Sequence, residues 1–177
     1  MALPNKNKKI KSRSQMPEKI TRAPKGKARS SVPVVNQIGA FCYRWTNDEL
    51  EFLLVTSSHG RWILPKGWPM PGKSDRKTAA IEAWEEAGVR KGKTSKKPLV
   101  MFQAKKHRKS AEVLKTRIAV HTIKVQSIAK RYPEDERRRR RWVTVPEAMS
   151  LVTDKKQRYA IRKLVKKVTR KRMKNAA

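Results

Sequence analysis

Three glutamates, Glu82, Glu85 and Glu86, have the residue type and the spacing for chemistry. At i, i+3 and i+4 they would share one face of an α-helix, where like charges repel and destabilise the helix. Carboxylate oxygens are ligands that Mg²⁺ and Mn²⁺ prefer, and water and a substrate phosphate could complete the coordination. The alternative is an ordinary solvated acidic face. The chain has Asp+Glu 14 against Lys+Arg 46, so an acidic cluster without a basic residue at i+4 inside the predicted helix favours the metal site.

The segment that carries these glutamates has helix start and stop signals. Ser74 or Asp75 is a suitable N-cap, and Gly88 stands where a helix commonly ends in a left-handed residue. An apolar stripe at i, i+3, i+4 and i+7 predicts packing on a core, and it consists of Ala80, Ala83, Trp84 and Ala87. The glutamates are predicted to lie on the face beside this stripe.

A proline- and glycine-rich loop, residues 64–72, leads into this helix with the sequence LPKGWPMPG. Gly67 would let the backbone approach a phosphate closely because glycine has no side chain. Lys66 would add a positive charge at the same place. The loop is therefore predicted to bring phosphate groups next to the glutamate helix.

This stretch resembles the box of the Nudix hydrolases, G-x5-E-x7-R-E-U-x-E-E-x-G-U, in which U is a bulky aliphatic residue. The matching positions are Gly67, Glu82, Glu85, Glu86, Gly88 and Val89, with Ala83 as a small version of the aliphatic residue. Two positions depart from the pattern, because Lys73 replaces the first glutamate and Ile81 replaces the arginine. In the family these two residues together support the geometry of the box. The replacement of both is therefore expected to affect the metal affinity and the rate of hydrolysis.

The resemblance implies an α/β (α+β) fold, in which a mixed β-sheet is sandwiched between helices. It also implies hydrolysis of a phosphoanhydride bond with Mg²⁺ or Mn²⁺ held by the three glutamates. The sequence RWILPKGWPMPG resembles the branch that includes diphosphoinositol polyphosphate and dinucleoside polyphosphate hydrolases. The predicted partner is thus a polyphosphorylated small molecule, and the predicted substrate contacts are Arg61, Lys66, Gly67 and Arg138.

A second acidic stretch, YPEDE at residues 132–136, directly precedes five arginines. Similar Nudix proteins have a loop carboxylate near the metal in this region, which implies Glu136 or Glu134 as a further ligand or as the base for the attacking water. The alternative is that these acids only offset the neighbouring arginines. Guanidinium groups pair bidentately with phosphate, but a strand can point only every second arginine toward the site.

Length and composition are those of one globular domain, with 177 residues and 37% hydrophobic residues. The formal net charge of +32 indicates a polyanionic partner, which could be nucleic acid, an anionic membrane or a highly phosphorylated substrate. Cys42 is the only cysteine, which excludes an intramolecular disulfide and fits a protein of the reducing cytoplasm.

Residues 1–31 are strongly basic and hold a single acid, Glu18. This composition predicts a disordered tail that binds nucleic acid or another polyanion non-specifically, or that only solubilises the protein. The tail lacks the apolar region of a signal peptide, no segment is suited to span a membrane, and a mitochondrial transit peptide is a further alternative. The predicted Nudix domain occupies residues 32–172, and residues 173–177 form the C-terminal end.

Short apolar runs predict strands at residues 34–45, 50–57, 61–64, 98–107, 114–125 and 142–145, with helices at 74–88, 146–152 and 155–172. Residues 90–97, RKGKTSKK, are predicted to form a basic loop. The last helix would pack on the core through Ile161, Leu164, Val165 and Val168, with binding of a membrane surface or nucleic acid as the alternative. His59 is predicted to lie on the surface, and His121 to point into a packed face.

A competing hypothesis is a nucleic-acid-binding protein on a Nudix scaffold with weak or lost catalysis. Lys73, Ile81 and the net charge favour it. The two hypotheses differ in salt dependence, because non-specific polyanion binding falls steeply between low and physiological salt.

Overall fold

The structure, a computed structural model, describes residues 34–107 and 113–176. The predicted basic tail at residues 1–31 lies outside the described residues and stays a prediction. Within the described ranges, no helix is both long enough and apolar enough to cross a membrane.

One mixed sheet and three helices make up the described fold. The strands are β1 (Val34–Thr46), β2 (Glu49–Thr56), β3 (Trp62–Ile63), β4 (Lys66–Gly67), β5 (Val89–Thr94), β6 (Val100–His107), β7 (Val113–Ile128) and β8 (Arg140–Thr144). The helices are α1 (Asp75–Ala87), α2 (Val145–Leu151) and α3 (Lys155–Ala176). This is the α/β architecture predicted from the sequence.

The sheet has the strand order β3-β2-β1-β7-β5, while β4 pairs with β1, β6 with β7 and β8 with β2. Only the central pair β1 and β7 is parallel among the pairings of the described residues, and the others are antiparallel. The turn between β1 and β2 is formed by Asn47 and Asp48, whose φ angles are 47° and 64°. These two residue types tolerate the left-handed conformation that such a tight hairpin requires.

Helices cover both faces of this sheet, which explains why β2 is continuously apolar and buried from Phe52 to Val55. Phe52 and Leu54 belong to a core shared with α2 and α3, whereas Leu53 and Val55 belong to a second core shared with α1. Successive strand residues point to opposite faces, so a strand covered on both sides is a continuous apolar run. The predicted sandwich of a mixed sheet between helices is confirmed.

The apolar stripe predicted for α1 is displaced around the helix. The residues that pack fully into the core are Ala79, Ala83 and Ala87, whereas Ala80 and Trp84 are only partly buried. A stripe of alanines lets the helix lie close to the sheet, and this brings Glu82 and Glu86 to the edge of the buried face. The prediction that the glutamates lie beside the packed stripe is confirmed.

The predicted basic loop at residues 90–97 is wrong for its first half. Residues Val89–Thr94 form β5, an edge strand that pairs antiparallel with β7. Val89 and Thr94 are buried while the four residues between them are exposed, so the strand has no apolar alternation to reveal it. Backbone pairing with β7 holds the strand, and charged side chains are common on such exposed edges.

The remaining helix and histidine predictions are confirmed. Helix α2 begins with a capping box between Thr144 and Glu147, and α3 packs on the core through Ile161, Leu164 and Val168. His59 is exposed. His121 is 1% exposed, and its Nδ1 lies 3.0 Å from the carbonyl oxygen of Ser95.

Candidate active site

The glutamate helix α1 is fixed at both ends by its own sequence. The hydroxyl of Ser74, the N-cap, accepts a hydrogen bond of 3.3 Å from the backbone N–H of Lys77. Gly88 ends the helix with a φ of 67°, and its N–H donates to the carbonyl of Trp84 at 2.9 Å. Both capping residues agree with the sequence prediction.

Glu82, Glu85 and Glu86 line one cavity of about 470 Å³ beside this helix. The other predicted site residues in its wall are Arg61, Lys66, Gly67 and Arg138. Trp62, Trp68 and His59 also line it, as do Asp154 and Gln157 from the start of α3. The structure therefore brings together seven of the eight residues predicted for the site.

Glu136, the eighth residue, is exposed and is not part of the cavity wall, whereas Glu134 is 9% exposed and lines it. The N–H of Glu134 donates to the carbonyl of Glu85 at 3.1 Å, which ties the loop to α1. The carbonyl of Glu134 accepts from the N–H groups of Arg137 and Arg138, each at 3.0 Å. This turn directs Glu134 inward, so the loop carboxylate of the site is Glu134 and not Glu136.

Gly67 is the residue that lets the Glu82 carboxylate lie against the backbone of β4. A Cβ atom at this position would stand 2.0 Å from Oε1 of Glu82, far inside van der Waals contact. The sequence assigned Gly67 to close approach of a phosphate, but in the structure its Cα faces a carboxylate of the same site. Glycine is required here for space, since its φ is not positive.

Glu86 is held from two sides. Its Oε2 accepts a hydrogen bond of 3.0 Å from the backbone N–H of Lys66, and its Oε1 accepts one of 2.5 Å from Nη2 of Arg138. The same guanidinium donates through Nε to Glu134 and through Nη1 to the carbonyl oxygen of Thr56 at 2.8 Å. Arg138, predicted to contact substrate, thus joins α1, β2 and the acidic loop, and 17% of its side chain is exposed.

Arginines alternate between the interior and the solvent from residue 138 to residue 141, as expected for an extended chain. Arg140 donates to the carbonyl oxygens of Ala87 at 2.8 Å and Ala129 at 2.6 Å, and its guanidinium lies 4.5 Å from the centre of the Tyr132 ring. A Cβ atom on Gly88 would lie 2.3 Å from Nη1 of Arg140. Arg140 therefore anchors the end of α1 to the acidic loop and does not reach the cavity.

The carboxylates shift each other's protonation. Burial, followed by the charges of Glu86, Glu85 and Glu134, raises the pKa of Glu82 to about 8. Burial also raises the pKa of Glu86, although Arg138 and Lys66 act in the opposite direction. Without a cation, the cluster therefore favours the protonated form of Glu82, and a bound cation would favour the ionised form.

A divalent cation fits this site by its donor chemistry, because five carboxylates line the cavity and hard cations prefer carboxylate oxygens. In the arrangement of the described residues, however, no three Asp, Glu, His or Cys side chains converge closely enough to hold one ion. One reason that the carboxylates do not converge is that Glu86 and Glu134 each form an ion pair with the guanidinium of Arg138. Metal binding by Glu82, Glu85 and Glu86 therefore remains a prediction.

The two positions that depart from the Nudix box lie away from the cavity wall. Lys73 is exposed one residue before the N-cap, and Ile81 lies on the side of α1 that faces β5 together with Ala80 and Trp84. Sequence reasoning missed Asp154 and Gln157 as site residues. Asp154 accepts at 2.7 Å from the N–H of Gln157, as an N-cap does, and Oε1 of Gln157 accepts at 3.4 Å from the N–H of Leu64. The N-cap signal was readable, but its position beside the cavity depends on the tertiary fold.

Comparison with known proteins agrees with this fold. The model of the NUDIX domain family matches residues 35–166. The chain therefore belongs to the Nudix family.

Individual curated relatives match only part of the chain. The chain is 48% identical over 48 residues to the bis(5'-nucleosyl)-tetraphosphatase (asymmetrical) of Sus scrofa, which covers 26% of this chain and 33% of that protein. It is 35% identical over 103 residues to Nudix hydrolase 16, mitochondrial, of Arabidopsis thaliana, which covers 56% of this chain and 57% of that protein. The matched region thus spans between one third and somewhat over half of the length of these curated relatives.

Solved structures share the fold at low identity. The C. elegans Ap4A hydrolase has a TM-score of 0.58 and 18% identity, and the match covers 77% of this chain and 99% of that chain. The Shewanella oneidensis NrtR, solved in complex with a 27mer DNA, has a TM-score of 0.55 and 15% identity, covering 76% of this chain and 62% of that chain.

Proposed function

We propose that the protein hydrolyses a phosphoanhydride bond in a dinucleoside polyphosphate, with Mg²⁺ or Mn²⁺ bound by Glu82, Glu85 and Glu86. The observation that carries this proposal is the single cavity wall formed by these glutamates and Glu134, with Arg61 and Lys66 beside them. Carboxylates suit the cation, and the two basic residues suit the phosphates that would bridge to it.

The roles of the residues follow from their contacts. Glu82, against Gly67, and Glu86, on the backbone of Lys66, are placed beside the cavity by these contacts. Joint coordination of one cation would require Glu86 to turn from Arg138 toward the other glutamates. The bound cation would neutralise phosphate oxygens and lower the pKa of the attacking water. Glu134 is available to accept the proton of that water, whose oxygen bonds to phosphorus as the anhydride P–O bond breaks. The leaving group is the nucleotide on the far side of that bond, and the second nucleotide carries the new P–O bond. No covalent bond to the protein is required.

Two tryptophans favour a dinucleoside substrate. Trp62 and Trp68 line the same cavity as the carboxylates, and a flat aromatic ring can stack on a nucleobase. Trp62 also packs against the core, which fixes its ring in place. The tetraphosphatase of Sus scrofa among the relatives supports the same substrate class.

A diphosphoinositol polyphosphate is the second candidate substrate. It is supported by the basic residues around the cavity, because Arg61 is exposed at its wall and Lys66 lies beside Glu86. Such a ligand is compact and densely anionic and offers no base for stacking. Trp68→Ala should therefore lower kcat/KM for a dinucleoside polyphosphate at least several-fold and leave the rate on a diphosphoinositol polyphosphate nearly unchanged.

The deciding experiment measures hydrolysis of dinucleoside polyphosphates, diphosphoinositol polyphosphates and nucleoside triphosphates with Mg²⁺ or Mn²⁺ at physiological salt, by chromatographic separation of the nucleotide, pyrophosphate or phosphate products. We expect Glu85→Gln to reduce turnover by about two or more orders of magnitude, since it removes one charged ligand without adding bulk. Glu136→Gln is the matched control, because it removes an exposed carboxylate outside the cavity. Equal rates for Glu85→Gln and the unchanged protein would refute the metal assignment.

A further inference from the structure

The surface of α3 carries far more positive charge than its packing requires. Half of its 22 residues are lysine or arginine and none is acidic. The helix begins with Lys155 and Lys156, although the helix dipole favours negative charge in the first turn. Like charges three and four residues apart also repel. The charge therefore lowers the stability of the helix, and an anionic partner outside the helix would offset this repulsion.

The core contacts of α3 fix which side faces the solvent. Ile161 and Leu164 are fully buried and Val168 is nearly so. The opposite side forms an exposed stripe at three- and four-residue spacing, which we call the basic face: Tyr159, Arg162, Lys163, Lys166 and Arg170. Successive members of such a stripe lie about 5–6 Å apart. The basic face is thus a straight row of cations on one side of a helix.

The far end of α3 is tied to the body of the protein. Arg172 pairs with Asp48, and its guanidinium lies 4.1 Å from the centre of the Trp45 ring. Both partners belong to the β1–β2 hairpin, so the helix is anchored there as well as through its core residues. The basic face is consequently presented on a fixed surface and not on a free arm.

An aromatic ring lies within the row of cations. Tyr159 is 49% exposed, and Nζ of Lys163 is 5.1 Å from the centre of its ring. Proteins that bind single-stranded nucleic acid combine a basic track for phosphates with aromatic rings on which bases stack. The order of residues along this face has both features.

We propose that the basic face of α3 is a docking surface for the phosphate backbone of nucleic acid, with Tyr159 available for base stacking. An anionic membrane fits less well, because helices that lie in a membrane surface bury an apolar face in the lipid. The apolar face of α3 is already buried against the sheet. The basic face contains none of the residues that line the hydrolytic cavity, so nucleic-acid binding there would be a function in addition to the proposed hydrolysis.

The test compares two triple variants of the full chain that remove the same charges. One is Lys163→Gln, Lys166→Gln, Arg170→Gln on the basic face, and the other is Arg90→Gln, Lys91→Gln, Lys93→Gln on the exposed strand β5. The basic residues at 1–31 are the same in both. Binding to a fluorescent single-stranded RNA of about 20 nucleotides, and to DNA of the same sequence, is measured by anisotropy from low to physiological salt.

We expect the basic-face variant to bind at least about tenfold more weakly at moderate salt, and its log–log salt slope to fall by about 2, since each phosphate contact contributes about 0.7 on a single strand. The β5 variant should lose about twofold or less. Loss with RNA alone would identify RNA as the partner, and equal loss with DNA would identify the shared backbone.

Three outcomes overturn the proposal: no binding by the unchanged protein, equal losses in the two triple variants, or loss of binding only to phosphatidylserine vesicles in a parallel sedimentation assay. The second would mean diffuse attraction and the third a membrane surface. Retained hydrolysis and a thermal stability no lower than that of the unchanged protein, in both variants, would show that each is folded.

Discussion

At the scale of single residues, Arg138 explains why the carboxylate of Glu82 has different surroundings from those of Glu86 and Glu134. It pairs with Glu86 and Glu134, so these two share a buried counter-ion supplied by the chain itself. Glu82 instead lies against Gly67 among other carboxylates, and its pKa is raised to about 8. The sequence predicted that Arg138 faces the site, but its pairing with carboxylates depended on how the acidic loop turns.

Glu82 makes the stability of the metal-free protein depend on pH. The pKa of Glu82 is about 8 in the folded state against its ordinary value of 4.5, so the folded state binds a proton more tightly than the unfolded chain. The free energy of unfolding should therefore fall as pH rises from about 4.5 to about 8. We expect Glu82→Gln to give a flatter pH profile and a higher Tm at pH 8, measured by thermal unfolding with a chelator present.

Glu136→Gln is the control for this prediction, because it also removes one carboxylate but from an exposed position. It should leave the slope of Tm against pH as it is. Added Mn²⁺ should raise the Tm of the unchanged protein more at pH 8 than at pH 5, since only the ionised carboxylates bind it. An equally steep slope in Glu82→Gln would contradict the assignment of the pH dependence to this residue.

At the scale of elements, β4 and α1 form one unit because Gly67 and Glu82 are in contact. Gly67→Ala would bring a Cβ atom to about 2 Å from the Glu82 carboxylate, which would have to move. The end of a long side chain can shift at modest cost, so we expect Tm to fall by only a few degrees. Turnover should fall at least about tenfold, because positioning errors of about 1 Å are costly in catalysis.

A double-mutant cycle separates this contact from other effects of the alanine. In the Glu82→Ala background the three atoms nearest to the added Cβ are gone, so Gly67→Ala should no longer lower Tm. The same decrease in both backgrounds would show that the alanine disturbs β4 itself. Thermal unfolding of the four proteins provides the measurement.

Elements with a strong local signal were predictable, and those held by their neighbours were not. The caps of α1 and the spacing of its glutamates were visible because capping and helical periodicity are local. Strand β5 was missed because its exposed lysines and arginine are held by pairing with β7. The choice of Glu134 over Glu136 likewise rests on hydrogen bonds to Glu85 and within the loop. Spacing alone cannot reveal such contacts.

At the scale of the whole molecule, the two buried cores and the net charge act in opposite directions. Helices on both faces of the sheet provide the burial that stabilises the fold. The net charge of +32 repels itself and favours expansion. The hydrolytic cavity occupies one place in this molecule, so most of the excess charge lies elsewhere, on α3 and on β5 among the described residues.

Salt should therefore stabilise this protein. The Debye length falls from about 30 Å at 0.01 M to about 8 Å at 0.15 M ionic strength, which screens repulsion among distant lysines and arginines. Salt also weakens ion pairs such as Arg44–Glu51, but basic residues outnumber acidic ones 46 to 14, so the loss of repulsion dominates. We expect Tm to rise as NaCl increases over this range, by about 2–4 °C for each kcal/mol gained.

The basic-face triple variant should show a smaller rise in Tm because it has fewer charges to screen. Sucrose at equal osmolarity should not reproduce the difference between the two proteins. A Tm that falls with salt would mean that the ion pairs outweigh the repulsion and that the excess charge is already compensated within the folded chain.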